Sequence, residues 1–310
     1  MEEKRTMVWN IASSIGIALT IPYILYKVVR AVYIKKVYGA LAGKVVVITG
    51  ASSGLGEALA HEFYKNGCQV VLCARRRQEL DRVRMDLLKM HPTVPTLHPI
   101  IVPLDLGNLD QLPSNVDKII ALTGHIDILI NNGGISNRGS ACDTKLSVDM
   151  ELMKINYFGT ITLTKAVLPS MVKRNQGHIV SISSVQGLIA IPERSSYSAS
   201  KHALQAFSDS LRAEVNKHNI HMTVVSPGYI KTQLSLNALT GTGAKHGQLD
   251  KNTEQGYTPE FVANKILNSV VQGKKEVVIA SFIARIGIFL RKYFPTIYFL
   301  VMAHRANKSH

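Results

Sequence analysis

The 310-residue sequence contains only three cysteines, Cys68, Cys73 and Cys142. No two of them form a CxxC pair, and an odd number leaves at least one thiol unpaired. Small secreted proteins that depend on disulfides have more cysteines in regular patterns. We therefore exclude a disulfide framework and expect reduced thiols in a domain that faces the cytosol.

Several binding signatures are also missing. The sequence has no Lys/Arg tract interleaved with aromatic residues and no zinc-finger spacing, so its net charge of +15 does not indicate nucleic-acid binding. Its histidines do not occur with carboxylates in a metal-ligand pattern, so we expect no metal site. The basic residues instead gather after an N-terminal apolar run, at Arg75–Arg77, and near the C-terminus.

Charged residues are absent from residues 7–26, a run that matches the ~20 residues an α-helix needs to cross a membrane. We predict a short leader over residues 1–6, a single transmembrane anchor over 7–26 and a basic juxtamembrane linker over 27–40. The excess of Lys and Arg after the run predicts a cytosolic catalytic domain. A cleaved signal peptide is disfavoured because no small-x-small cleavage site follows. A buried soluble helix is the other alternative.

A second apolar stretch, over residues 281–310, contains Arg285, Arg291, Lys292 and Pro295. The charges within it argue against another membrane span. Basic residues placed among aromatic and aliphatic ones are typical of an amphipathic segment that lies on a membrane surface. A helix that packs on the domain or on a partner is the open alternative.

Between these ends, runs of β-branched residues alternate with amphipathic helical patterns. Near-continuous apolar strands are typical of a parallel sheet covered on both faces, and the alternation predicts repeated βαβ units. We expect residues 41–280 to form one doubly wound α/β domain of the Rossmann type. Its predicted strands are Lys44–Thr49, Gln69–Ala74, Ile100–Pro103, Asp127–Asn131, His178–Ile182, His221–Ser226 and Glu276–Ala280.

A glycine-rich turn follows the first predicted strand and precedes a predicted helix. Glycines at such a turn let the backbone approach a pyrophosphate, and the helix N-terminus adds N–H groups and a positive partial charge. The position in the first βαβ unit favours a dinucleotide site over an ordinary tight turn. The predicted cofactor-binding residues of the turn include Gly50, Ser52, Gly54 and Gly56.

The residues after the second and third strands bear on the choice of cofactor. An Asp or Glu after the second strand would accept a hydrogen bond from the ribose of NAD, but this sequence has Arg75 there. A guanidinium can hold a 2′-phosphate, so NADP(H) is favoured over NAD(H). Asp105 could accept a hydrogen bond from the adenine amino group. Asn132 lies in a small-residue turn that we place beside the cofactor, and a purely structural turn is the alternative for its glycines.

Tyr197 and Lys201 are four residues apart on one face of a predicted helix. A free phenol has a pKa near 10, so proton transfer near neutral pH requires roughly 4 kcal/mol in favour of the phenolate. A neighbouring ammonium and an oxidised nicotinamide provide a field of that sign. By itself, the Tyr-x-x-x-Lys pattern also fits a surface pair on an exposed helix.

The motifs Thr49-Gly-x-x-x-Gly-x-Gly56, Asn131-Asn-Gly-Gly, Asn156, Ser184, Tyr197-x-x-x-Lys201 and Pro227-Gly228 occur in a characteristic order and spacing. In this the sequence resembles the short-chain dehydrogenase/reductase superfamily. The resemblance covers residues 41–280 and implies a seven-stranded parallel sheet and a nicotinamide cofactor.

The same resemblance implies a catalytic tetrad. Tyr197 would transfer the proton to or from the substrate oxygen, and Ser184 would bind the substrate and polarise its carbonyl. Lys201 would bind the nicotinamide ribose and lower the pKa of the tyrosine, and Asn156 would hold a relay water. Further positions that match cofactor contacts of the superfamily are Ser53, Leu55, Ile230 and Thr232.

One departure from the superfamily lies in the Asn-Asn-Gly-Gly motif. Either Gly134 or Gly133 stands where the superfamily usually has the small residue alanine. We expect the missing methyl group to loosen one packing contact without removing a catalytic group. The helices that include Asn156–Met171 and Ser196–Glu214 commonly pair in such enzymes, so the resemblance also implies a homodimer.

Longer stretches, among them RSSYSASKHALQAF, resemble the membrane-bound member seven group of this superfamily. That group implies endoplasmic-reticulum or peroxisomal membranes and the reduction of acyl- or alkyl-dihydroxyacetone phosphate. The loop over residues 233–257 has few charges, which is compatible with a lipid, retinoid or steroid ligand. We expect a membrane-bound NADP(H)-dependent oxidoreductase that interconverts a lipophilic ketone and a secondary alcohol. A cofactor-binding scaffold or redox-sensing interaction protein without turnover is the alternative.

Overall fold

The computed structural model describes residues 18, 20–29, 38–39, 41–90, 92 and 94–307. The chain divides into two units, Met1–Leu41 and Ala42–His310. In the first unit, residues 20–29 are helical and exposed. The predicted leader, most of the anchor and most of the linker lie outside the described residues and stay predictions. Among the helices of the described part, none combines the length and the apolar character needed to span a membrane.

The second unit contains a seven-stranded parallel sheet with two further short strands. Every predicted strand of the sheet is present with ends that differ by at most one residue, which confirms the Rossmann-type α/β fold. The strands are β1 (Val45–Thr49), β2 (Gln69–Ala74), β3 (Ile100–Pro103), β4 (Ile128–Asn131), β5 (Asn137–Arg138), β6 (Gly177–Ile182), β7 (Ile220–Pro227), β8 (Leu239–Thr240) and β9 (Glu276–Ile279).

The strands of the sheet are ordered β3-β2-β1-β4-β6-β7-β9, and β5 pairs with β8 in a separate two-stranded sheet. All pairings are parallel, and Val46 of β1 aligns with Val70 of β2 and with Ile128 of β4. The strand order reverses direction between β1 and β4. In open α/β sheets, ligands bind outside the carboxyl ends of the strands at such a switch point.

The helices of the second unit connect the strands or follow the sheet. A π-helical segment, Lys154–Gly159, joins the fourth helix to the fifth. The helices are α1 (Gly54–Lys65), α2 (Arg77–Leu88), α3 (Leu112–Thr123), α4 (Leu146–Met153), α5 (Thr160–Arg174), α6 (Ser195–Val215), α7 (Lys251–Glu254), α8 (Pro259–Val271), α9 (Phe282–Tyr293) and α10 (Pro295–Asn307).

The core explains why the strands are apolar along their whole length. All five residues of β1 are buried, because side chains that alternate between the two faces of the sheet are covered on both. On one face, strand residues such as Val47 and Leu129 form a core cluster with Val116 of α3, Leu163 of α5 and Leu211 of α6. This packing holds the carboxyl ends of β1, β4 and β6 in fixed positions.

Candidate active site

The glycine-rich turn between β1 and α1 is shaped for close approach to another backbone. Gly50 has φ +67°, and a Cβ added there would lie 2.9 Å from the Cα of Gly133. A Cβ on Gly56 would lie only 2.1 Å from the Gly50 carbonyl oxygen. Glycine is therefore required at both positions. Because α1 begins at Gly54, the positive end of its dipole lies at this turn, and the residues fit the pyrophosphate of a dinucleotide.

The carboxyl ends of β1 and β4 are joined by hydrogen bonds beside this turn. The Oγ1 of Thr49 accepts the backbone N–H groups of Asn132 and Gly133 at 3.0 and 2.9 Å. The side chain of Asn132 donates to the Thr49 carbonyl at 2.9 Å. Thr232, from the loop after β7, packs against Gly54. A Cβ added at Gly54 would lie only 3.0 Å from the Cγ2 of Thr232. The structure thus brings Asn132 and Thr232 next to the glycine-rich turn.

The expectation of looser packing at the Asn-Asn-Gly-Gly motif is wrong. A Cβ added at Gly133 would lie 2.7 Å from Leu106 Cδ1, and one added at Gly134 would lie 2.9 Å from Asn156 Oδ1. Neighbouring side chains already fill the space that an alanine methyl group would take. The glycines therefore leave no gap in the packing.

The arginines after β2 lie at the outer edge of the turn. Arg75 and Arg76 are both exposed. The guanidinium of Arg76 donates to the Oγ of Ser52 at 3.4 Å. Sequence reasoning selected Arg75 for a 2′-phosphate, whereas the structure shows that Arg76 also reaches the turn. Asp105, after β3, accepts the backbone N–H of Gly107 at 2.9 Å through Oδ1.

The tetrad residues come from three elements and are all buried. Ser184 lies two residues after the end of β6, immediately before a short 3-10 helix. Tyr197 and Lys201 lie in the first two turns of α6, and Asn156 lies in the π-helical segment. The Ser184 side chain lies near enough to the Tyr197 phenol to lower the phenol's pKa, and its Oγ accepts the N–H of Gln186 at 3.1 Å. The Nζ of Lys201 lies 5.8 Å from the centre of the tyrosine ring and donates to the Ile182 carbonyl at 2.8 Å. Burial excludes the surface-pair alternative for Tyr197 and Lys201.

Asn156 connects the β4 loop to the helix of the tyrosine. Its Oδ1 accepts the N–H of Ile135 at 2.8 Å, and its Nδ2 donates to the Ile135 carbonyl at 2.9 Å and to Ser200 Oγ at 3.0 Å. Ser200 in turn donates to the Tyr197 carbonyl at 2.8 Å. Both N–H groups of the Asn156 amide are therefore engaged within the protein. π-Helical turns of this kind are frequent at functional sites.

Burial dominates the protonation equilibria of the site. It raises the pKa of Tyr197 above 10, and hydrogen bonding to Ser184 and the charges of Arg138 and Arg194 act in the opposite direction. Burial also lowers the pKa of Lys201 to about 8. The expected lowering of the tyrosine pKa by Lys201 is therefore not found in the chain by itself. The positive charges that favour the phenolate belong to two arginines instead.

Sequence reasoning missed these arginines and the carboxylate between them. Arg138 of β5 donates through Nε to Asp250 Oδ2 at 3.0 Å, and Arg194 donates through Nη2 to the same oxygen at 3.0 Å. Arg194 is only 7% exposed, and its Nε has no hydrogen-bond partner in the described part of the chain. Burial costs and the second arginine lower the pKa of Arg194, while Asp250 stabilises its charge. No local sequence pattern points to this cluster, although Arg194 stands three residues before Tyr197.

The sequence was then compared with protein-family models. Residues 44–241, which carry the glycine-rich turn and the whole tetrad, match the model for short chain dehydrogenases. The chain belongs to the short-chain dehydrogenase family. It is an NAD(P)-dependent oxidoreductase.

Relatives within the short-chain dehydrogenase family extend over nearly the full chain. A dehydrogenase/reductase SDR family protein 7-like from Anopheles gambiae is 52% identical over 98% of this chain and 96% of its own. Dehydrogenase/reductase SDR family member 7B from Xenopus tropicalis is 49% identical over 93% of this chain and 92% of its own. These relatives confirm the resemblance to the member seven group and to its B form.

Solved structures show the same short-chain dehydrogenase fold. A short-chain dehydrogenase from Streptomyces avermitilis is 26% identical, covers 86% of this chain and 99% of its own, and has a TM-score of 0.70. A short-chain dehydrogenase/reductase from Burkholderia phymatum, solved in complex with NAD, is 21% identical, with coverage of 83% and 95% and a TM-score of 0.71. At 21% identity, the similarity to the Burkholderia phymatum structure supports the fold alone.

Proposed function

We propose that the protein interconverts a lipophilic ketone and a secondary alcohol with NADP(H). The observation that carries this proposal is the buried Tyr197 phenol, which lies near both Ser184 and Lys201. When bound, the nicotinamide cofactor supplies or accepts the hydride. Glycine-rich turn residues Gly50, Ser52, Ser53, Gly54, Leu55 and Gly56 would hold it, together with Asn132, Ile230 and Thr232.

The chain's own residues would handle the substrate oxygen and its proton. In the direction of reduction, the Tyr197 hydroxyl donates its proton to the carbonyl oxygen, and Ser184 Oγ donates a hydrogen bond to the same oxygen. A raised phenol pKa keeps the tyrosine protonated and ready to donate. Lys201 would bind the nicotinamide ribose through its ammonium. Asn156, whose amide N–H groups are engaged, acts as a positioning residue beside a relay water.

The preference for NADP(H) rests on the arginines after β2. Arg75 and Arg76 are adjacent and exposed, and Arg76 already contacts the turn through Ser52. The sequence supplies no carboxylate between Ala74 and Arg77 for the ribose of NAD. Two guanidinium groups at this edge suit a 2′-phosphate. Asp105 is proposed as an adenine contact.

The Arg138–Asp250–Arg194 cluster bears on the choice of substrate. Two guanidinium groups share one carboxylate, which leaves a positive excess close enough to Tyr197 to influence its pKa. A buried positive charge is costly unless it is paired. Among the candidate substrates, a ketone with a phosphate, such as acyl- or alkyl-dihydroxyacetone phosphate, would supply the missing negative charge. A retinoid or steroid ketone would not.

A membrane location and a homodimer belong to the same proposal. The described helical residues 20–29 expose apolar side chains that include Ile21, Ile24 and Leu25, as an anchor in the membrane of the endoplasmic reticulum or a peroxisome would. Leu146 and Met150 of α4 are also exposed, at 71% and 64%. The exposed side chains of α4 support pairing of two copies through the helices around the π-helical segment. The excess of Lys and Arg after residue 26 supports a catalytic domain in the cytosol.

The proposal is tested with the full chain reconstituted in lipid nanodiscs and supplied with NADPH. Turnover is measured with a long-chain ketone phosphate, its dephosphorylated counterpart, a retinal and a steroid ketone. We expect turnover of lipophilic ketones, fastest for the phosphate. Tight NADPH binding without turnover of any of them would refute the proposed reaction and favour the scaffold alternative.

A further inference from the structure

Helices α9 and α10 expose an unusually apolar surface at the C-terminal end of the chain. Phe282 and Ile283 are 76% and 81% exposed, and Leu300 is 68% exposed. Soluble domains rarely expose so many large apolar side chains in one place. We call the following residues the C-terminal apolar surface: Phe282, Ile283, Ile286, Phe289, Tyr293, Phe294, Ile297, Phe299, Leu300 and Val301.

The opposite side of the two helices is attached to the domain. Tyr298 is buried in a small cluster with Val185, Ile189 and Ala280, and its hydroxyl donates to the Ala190 carbonyl. The helices therefore have a packed side and an exposed side. The sequence left open the alternative that this segment packs on the domain. Such packing explains the packed side of the helices but not the apolar exposed side.

The charged side chains of α9 and α10 all have one sign. From residue 277 to the end of the chain there is no Asp or Glu, whereas Arg285, Arg291, Lys292 and Arg305 are basic. Arg285 is bonded to the carbonyls of Val278 and Ala280, at the edge of the domain. Arg291 lies over the ring of Phe299 at 5.1 Å, and Lys292 lies over Tyr293 at 5.2 Å.

We propose that the C-terminal apolar surface docks on the headgroup region of an anionic lipid bilayer. Aromatic and aliphatic side chains flanked by basic ones fit that interface, because the rings enter the apolar boundary while the cations contact lipid phosphates. The long side chains of Arg291 and Lys292 lie along aromatic rings, as such side chains do when their charged ends extend toward lipid headgroups. A second copy of the same surface would bring like charges together without any carboxylate to pair them.

Docking at this surface would bring the active-site region close to the lipid, with α9 and α10 between them. Val185 and Ile189, which hold α9 and α10, lie one and five residues after Ser184. A substrate that partitions into the bilayer would then be concentrated near the site. This consequence depends on the proposed function, but the docking itself does not.

The experiment places a fluorescent reporter on the surface. Trp9 is the only tryptophan of the chain, so Trp9→Phe gives a background in which Phe289→Trp or Leu300→Trp is the sole tryptophan. The full chain is reconstituted in phosphatidylcholine vesicles, with and without phosphatidylserine, and brominated lipid is the quencher. We expect at least about a twofold loss of fluorescence for both reporters, larger with phosphatidylserine. The double change Arg291→Gln and Lys292→Gln should remove the effect of phosphatidylserine.

The matched control is Phe261→Trp in the same background. Phe261 of α8 is also partly exposed, at 44%, but lies outside the C-terminal apolar surface. Quenching at residues 289 and 300 no greater than at 261, in vesicles shown by flotation to carry the protein, would overturn the proposal. Efficient cross-linking between copies of Leu300→Cys in a Cys142→Ser background, without quenching, would identify a second copy as the occupant and would also overturn the proposal. Neither readout requires turnover.

Discussion

The ammonium of Lys201 lies 5.8 Å from the centre of the Tyr197 ring, while its hydrogen bond goes to the main-chain carbonyl of Ile182. The lysine is thus held next to the tyrosine without a direct bond to the phenol oxygen. Because both side chains are buried, the cost of charging either one is high. The chain alone therefore keeps the phenol protonated, and the cofactor ribose is left as a partner for the lysine.

Replacing Tyr197 by Phe should remove the proton donor. General acid catalysis contributes about 10²–10⁴-fold to such reactions, so we expect kcat to fall by at least about 10². NADPH affinity, measured by fluorescence titration, should stay within about threefold of wild type because the ring still packs in place. Tyr64→Phe, a buried tyrosine of α1, is the control. Substantial turnover by Tyr197→Phe would contradict the assigned role.

The pKa of Lys201, lowered by burial to about 8, predicts an alkaline loss of activity. As the pH rises through about 8, the ammonium loses its charge, so kcat/KM for NADPH should decline there. In Lys201→Arg, which stays protonated, any remaining activity should lack that decline. A pH profile that is flat in wild type up to about pH 10 would contradict the assignment.

The same group predicts that folding stability increases with pH over an alkaline window. An unfolded lysine has a pKa near 10.4, so between about pH 8 and pH 10.4 the unfolded chain binds more protons than the folded one. Stability from this group should rise over that window by about 3 kcal/mol, as measured by urea unfolding. Lys201→Met should lack the increase, and Lys265→Met, at an exposed position, should keep it.

Reversing the charge at Arg75 should shift the choice of cofactor. A charge-assisted hydrogen bond is worth about 1.5–3 kcal/mol, so Arg75→Asp should lower kcat/KM for NADPH by roughly 10–100-fold and raise the relative use of NADH. Arg77→Asp is the control, because the guanidinium of Arg77 pairs with a carboxylate of its own helix. Its Nε lies 3.9 Å from Asp81 Oδ2. A larger effect of Arg76→Asp than of Arg75→Asp would transfer the phosphate contact to Arg76. An unchanged preference for NADPH over NADH in both Arg75→Asp and Arg76→Asp would refute the proposed 2′-phosphate contact.

The arginine cluster predicts discrimination between charged and neutral ketones. Arg194→Gln should lower kcat/KM about tenfold more for a ketone phosphate than for its dephosphorylated counterpart, because only the phosphate loses a charged partner. Arg194→Lys should recover part of the difference. Equal losses for both substrates would show that the cluster only supports the loop that contains Asp250.

Much of the fold could be predicted because its signals are local. Strands such as β1 and β2 are apolar along their whole length, and the glycine-rich turn is a continuous motif, so neighbours in sequence carry the information. The spacing of Tyr197 and Lys201 follows directly from the helical repeat. The Arg138–Asp250–Arg194 cluster could not be found this way, since its members are far apart in sequence. Asp250 follows Arg138 by 112 residues and Arg194 by 56 residues.

The amino-acid sequence by itself determined the parallel sheet and the glycine-rich turn after its first strand, because periodicity and short motifs specify local structure. Only the tertiary structure decided the direction of the Tyr197 pKa shift and which side of α9 and α10 remains exposed. It also decided that Leu106 fills the space next to Gly133. Burial, packing and Coulomb interactions depend on distances in space, and the folded chain sets those distances between residues far apart in sequence.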